Sequence, residues 1–127
     1  MQTGLKMIDY LFRKPKFPII CIINDVLVTA KTEVGFQRRI NQIDLAPDAH
    51  YNLVDSTGEG WEFYTNQMYI TPALRRKWSK KRLIQVYNDS QNCQRIGLTY
   101  SEKSLSGKRF DKIFAGIVDL VEQSQST

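Results

Sequence analysis

The sequence predicts a single α+β domain, with an antiparallel or mixed sheet of about five to six strands and three to four helices packed mainly on one face. Three observations lead there. Short apolar or alternating runs are joined by tight turns. These runs come in blocks, so the strict strand–helix alternation of a doubly wound sheet is missing. The strongest helical stripe stands alone near the C-terminus. A chain of 127 residues with 42% hydrophobic and 24% charged residues suits one core, and halving it would leave two marginal ones. Residues 1–127 are therefore read as one domain, with 122–127 as a polar tail.

Leu5, Ile8 and Phe12 share one helical face, so a short helix is expected over 4–13, stopped by Pro15 and Pro18. Residues 17–23 are apolar and rich in isoleucine, as in a strand buried on both faces. Asn24-Asp25 reads as a two-residue turn into a second strand, Val26 to Ala30. Thr32 is an N-cap candidate with Glu33 at the positive pole of the helix that follows. Phe36, Ile40 and Ile43 give that helix, 33–43, one apolar stripe.

His50 to Ser56 reads as a strand, and Thr57-Gly58-Glu59-Gly60 as a tight turn. Trp61 and Phe63 alternate with Glu62 and Tyr64 in the partner strand. After Asn66-Gln67, Met68 and Ile70 alternate with Tyr69 and Thr71, which completes an antiparallel meander. Thr71-Pro72 is expected to start a helix, since proline suits the first helical position. Ser79 is a second N-cap candidate, and Trp78 and Leu83 have the spacing of a hydrophobic staple. Leu83, Val86 and Tyr87 continue that stripe to about residue 88. Ile96, Leu98 and Tyr100 alternate as in one more strand. Phe110, Ile113, Phe114, Ile117, Val118 and Val121 mark a final helix near 106–123.

The net charge of +5 is local in origin. Arg75, Arg76, Lys77, Lys80, Lys81 and Arg82 fall within ten residues that hold no acidic one, leaving twelve basic against thirteen acidic residues elsewhere. On the expected helix starts these cations occupy first turns, where the dipole disfavours each by about 0.3–1 kcal/mol. Local rules broken in this way often mark function. Backbone N–H groups and several cations together suit an anion, with Trp78 as an adjoining stacking surface. The competing reading is a solvated helix face with Trp78 in the core. Arg13, Lys14 and Lys16 form a second basic cluster.

Other chemistry is thinly represented. One histidine, His50, and two distant cysteines, Cys21 and Cys93, offer no metal-ligand spacing and no nucleophile–base pair. Cys21 reads as buried in its strand and Cys93 as exposed, both reduced. Asp55, Glu59 and Glu62 cluster around Gly58 and Gly60. Acidic residues on a hairpin explain them better than an acid–base pair. Tyr64 and Tyr69 are possible partner-binding aromatics on an exposed sheet face.

The function expected from these features is a small non-catalytic binding protein. It would dock an acidic protein partner through the basic helix-start segment, and an inhibitory or immunity-type role is one form of this. The alternatives, in order, are a nucleic-acid-binding module using the same cations for phosphates and a carboxylate-dependent enzyme. No catalytic residue, cofactor or metal is assigned. No run of about 18 apolar residues would span a membrane, and the first residues lack the pattern of a secretion signal, so a cytoplasmic location is expected.

Overall fold

A computed structural model describes residues 7–101, 103 and 107–125, without the side chains of 75, 76 and 125. Its described elements are β1 (Asp9–Tyr10), β2 (Ile19–Ile23), β3 (Val26–Ala30), α1 (Glu33–Asn41), β4 (His50–Asp55), β5 (Glu59–Tyr64), β6 (Tyr69–Lys77), α2 (Lys80–Asn88), α3 (Gln91–Ile96) and α4 (Phe110–Gln125). The strands form one sheet in the order β1-β6-β5-β4-β2-β3. Only the β1–β6 pairing is parallel, so the sheet is mixed and the domain is α+β.

Alternation of side chains across the pleat divides the core into two layers. On one face α1 lays Phe36 and Ile40 against Ile19, Cys21, Leu53, Trp61, Phe63 and Ile70. On the other, α2, α3 and α4 bring Leu83, Tyr87, Cys93, Ile113, Phe114 and Ile117 against Ile20, Leu27 and Val54. Three of the four described helices thus share a face. They gather over β2, β3 and the end of β4. The same face of β4, β5 and β6 further along is left open, with His50, Asn52, Glu62, Tyr64 and Tyr69 on it.

Local signals explain most of these elements. Thr32 caps α1 by accepting from the Gly35 N–H at 3.0 Å. Asn24 takes φ +58° in the β2–β3 turn, a left-handed conformation that asparagine tolerates and that replaces the glycine usual there. Gly58, at φ +87°, turns β4 into β5, and the Phe110 ring lies where a Cβ would meet it at 3.3 Å. The outer edge of β3 is sealed by a side chain. Asn92 accepts from Leu27 N–H at 2.8 Å and donates to Leu27 C=O at 3.1 Å, mimicking the missing strand.

Four expectations from the sequence are corrected. Residues 7–13 are not helical: Asp9–Tyr10 pairs with Tyr69–Ile70, and Phe12 stands 92% exposed at φ +72°. Residues 4–6 lie outside the described residues. Thr71-Pro72 does not start a helix, because both residues pair with β5, Thr71 opposite Glu62 and Pro72 opposite Trp61. Ile96–Tyr100 is not a strand. Ser90 caps α3, Gly97 ends it at φ +83°, and the Leu98 carbonyl accepts the Tyr87 hydroxyl instead of a ladder bond. Cys93 is 3% exposed on α3, in the opposite layer from Cys21. Both thiols are free, and burial pushes that of Cys21 well above its ordinary value.

Candidate functional site

The basic segment straddles the junction of β6 and α2. Trp78 N–H donates to the Gly58 carbonyl at 2.8 Å, which pins the junction to the β4–β5 turn. Ser79, extended at φ −82°, ψ 159°, then accepts from the Arg82 N–H at 3.1 Å and starts α2. Trp78 and Leu83 are both buried on the staple spacing. Lys80, Lys81 and Arg82 therefore do occupy a first helical turn, and that turn has no acidic residue.

Arg75 and Arg76 belong to the last part of β6 and not to a first turn, so the dipole argument does not extend to them. Their side chains are outside the description. Lys77 ends the strand opposite Glu59. Glu59 is the carboxylate drawn into this region. Arg13 binds it with both guanidinium nitrogens, one at 2.7 Å from Oε1, and also lies over the Trp61 ring at 4.9 Å. The Arg13 hydrogen bonds hold the Glu59 carboxyl below the usual carboxylate range, despite partial burial, and Lys77 adds to the effect.

Three cations from the far end of the chain join the site. Lys80 Nζ donates to the Lys108 carbonyl at 2.9 Å, which brings the starts of α2 and α4 together. Lys108, Arg109 and Lys112 are exposed there, and Arg109 pairs with Asp111 at 3.3 Å. Arg13–Glu59 and Arg109–Asp111 are ion pairs at this end. The sequence carried a signal for this second group: Gly107-Lys108-Arg109 precedes the strongest helical stripe, as Ser79 precedes Lys80-Lys81-Arg82. Only the fold sets the two side by side.

Trp78 is not a stacking platform. It is 6% exposed within the helical layer, and the Arg82 guanidinium covers its ring at 3.9 Å from the centroid. Tyr64 and Tyr69 do lie on the open half of the sheet, half-buried. There they form a ladder with His50, with ring centroids 4.7 Å apart for His50–Tyr64 and 5.0 Å for Tyr64–Tyr69. Their faces are largely occupied by one another. His50 Nε2 lies 2.9 Å from Glu62 Oε1, and burial, together with the neighbouring Glu62 carboxylate, raises the Tyr64 phenol.

The three carboxylates have separate duties. Asp55 is 1% exposed. Its Oδ1 accepts from Thr57 N–H (2.9 Å), Thr57 Oγ1 (2.6 Å) and Glu59 N–H (3.2 Å), and its Oδ2 from Trp61 Nε1 (3.0 Å) and Lys16 N–H (3.1 Å). That set of donors makes it the keystone of the β4–β5 turn. Glu59 holds Arg13, and Glu62 pairs with His50.

Between the sheet and α2 lies a groove of about 490 Å³. Its origin is an irregularity in β6. Glu59 stands opposite Lys77 and Trp61 opposite Pro72, so residues 73–76 face the single residue Gly60 and bulge away from β5. Asn52, Gly60 and Glu62 form the floor, Ala73 and Leu74 one wall, and Trp78 with Arg82 the other. Leu74 is 87% exposed at its rim. No group of three or more His, Cys, Asp or Glu side chains with metal-binding geometry occurs among the described residues. No described helix is long and apolar enough to cross a membrane. Comparison with protein families, with characterised proteins and with solved structures finds no significant match.

Proposed function

We propose that the protein is a non-catalytic binding module that docks an acidic protein partner through the end where α2 and α4 begin. An inhibitory or immunity-type role is one form this would take. The observation that carries the reading is the Lys80–Lys108 contact, which joins Lys77, Lys80, Lys81 and Arg82 to Lys108, Arg109 and Lys112 at one end of the sheet. Two helix dipoles of the same sign add to that field. The described cations there outnumber the carboxylates Glu59 and Asp111.

A phosphate backbone would meet the same cations. Two features favour a protein. The aromatic ring of the basic segment, Trp78, is buried and covered, so nucleobases find no face to stack on beside the cations. Glu59 and the exposed Leu74 give the end a mixed acidic and apolar character, which suits scattered carboxylates between apolar side chains better than a continuous polyanion. No catalytic step is included, since Asp55, Glu59 and Glu62 are each engaged structurally. The reading places the protein in the cytoplasm, in keeping with its two free, buried thiols.

The test is charge reversal. Glutamate at Lys80, Lys81 and Lys108 is expected to weaken capture of the partner by on the order of a hundredfold. Folding should change little, because glutamate at the helix-start positions 80 and 81 is favoured where lysine is not, by about 0.3–1 kcal/mol per site, which offsets the exposed Lys80–Lys108 hydrogen bond that the variant gives up. The expected pair of results is an unchanged or raised Tm with binding lost. A partner retained equally by wild type and the triple variant removes this end from the function. Tighter capture of RNA or DNA than of any protein favours the phosphate reading.

A further inference from the structure

We infer that the acidic partner of the basic end is the opposite end of a second copy of this chain, so that copies pair head to tail. The inference rests on the docking reading above and names the partner. Strand register places the start of β4, the end of β5 and the starts of β6 and β1 side by side, with His50 opposite Tyr64, and Tyr69 opposite both Tyr64 and Asp9. The β2–β3 turn lies at that same end, since Ile22 pairs with Asn52. Five aspartates gather there: Asp9 on β1, Asp25 in the β2–β3 turn, Asp44 and Asp48 between α1 and β4, and Asp89 after α2. Gln91 N–H donates to the Asp25 carbonyl at 2.9 Å, which brings the Asp89 segment beside that turn. All five are exposed, and among the described residues none is held in an ion pair. Every other described carboxylate is either ion-paired or, like Asp55, buried.

The two ends are complementary in charge. α1, α2 and α4 all run from the basic end toward the aspartates, so their dipoles add, positive at one end and negative at the other. Strands of six residues, about 20 Å long, separate the ends. That exceeds the Debye length of about 8 Å at physiological salt, so each end acts through its own charges and the net +5 does not govern the contact. Arg95 stands off the acidic end, beside Val26 and Ser124 on the flank of β3. Aspartates scattered over turns suit a basic end that also carries Glu59 and the exposed Leu74. The contact joins different surfaces of the two copies. It is therefore heterologous and leaves every pair with one unused end of each sign.

The test is sedimentation equilibrium of wild type and two charge variants. Wild type is expected to show about twice the monomer mass of 14.8 kDa at about 50 mM salt, and the monomer mass alone at about 500 mM. Asp25→Asn, Asp48→Asn and Asp89→Asn together disable the acidic end, and Lys81→Glu with Lys108→Glu disables the basic one. All five side chains are exposed, so unchanged circular dichroism is expected of both variants. Each variant alone should stay monomeric. An equal mixture should form a one-to-one pair that grows no further, because only one working contact remains. Both variants stay net cationic, so net attraction does not account for that pair. Monomeric wild type at the lower salt, association of either variant alone, or a mixture that does not pair overturns the head-to-tail contact. A fluorescein-labelled all-glutamate peptide, read by fluorescence anisotropy at the lower salt, separates this inference from the docking reading. Binding of that peptide by a wild type that stays monomeric overturns self-pairing and leaves the basic end to another protein. No binding by wild type overturns the docking reading itself.

Discussion

Replacing Asp55 by alanine is expected to lower the unfolding free energy by about 4 kcal/mol in urea titrations, because it strands one buried and four part-buried donors that a single carboxylate now serves. The affected groups are Lys16 N–H, Thr57 N–H and hydroxyl, Glu59 N–H and the Trp61 indole. They fasten the incoming chain before β2, the β4–β5 turn and the central strand to one point. Asp55→Asn keeps one acceptor oxygen and opposes the other donors with an amide, so a loss of about half that size is expected. A change below about 1 kcal/mol for the alanine variant would show that water replaces the carboxylate and that the turn does not depend on it. The same experiment separates structure from chemistry. Asp55 is one of the three carboxylates with the residue type of an acid–base site, yet its partners are main-chain N–H groups, a hydroxyl and an indole.

Asn92→Ala is expected to cost about 3 kcal/mol, the penalty of leaving the Leu27 N–H and C=O without partners at a buried edge. A second consequence follows from geometry. Without the amide, β3 presents an unpaired edge, and the variant should self-associate at concentrations where wild type is monodisperse. Equal stability together with unchanged sedimentation would contradict the sealing role.

Much of this fold is legible in the residues, and the failures have identifiable causes. Thr32 and Ser79 start helices where their side chains accept an N–H three residues on, a purely local event. The β2–β3 hairpin is legible for the same reason, with Asn24 supplying the left-handed turn. Pro72 misleads because its fixed φ serves a helix start and an extended strand alike. Pairing of Thr71 and Pro72 with β5 decides the matter, and sequence proximity does not reveal it. Leu5, Ile8 and Phe12 keep helical spacing, but of the two described only Ile8 is buried; it donates its N–H to Gln37 at 2.9 Å while Phe12 faces solvent. In the last misreading, Ser90 and Gly97 bracket α3 with a clear start and stop, and the alternation of Ile96, Leu98 and Tyr100 has no ladder behind it.

The candidate site divides in the same way. Lys80, Lys81 and Arg82 on a first turn are readable from the Ser79 cap. Lys108, Arg109 and Lys112 join them through a contact spanning 28 residues, and the groove exists only because β6 bulges against Gly60. Neither depends on a local pattern. Both depend on how the sheet and the two helices meet.

Titration of ¹⁵N-labelled protein with the all-glutamate peptide, followed by amide chemical shifts, tests the docking surface most directly. The account predicts saturable shifts concentrated at residues 77–82 and 108–112, diminishing as salt screens the charges. Shifts centred instead on α1, where Arg38 and Arg39 supply cations of their own, or spread without focus over the surface, would contradict it.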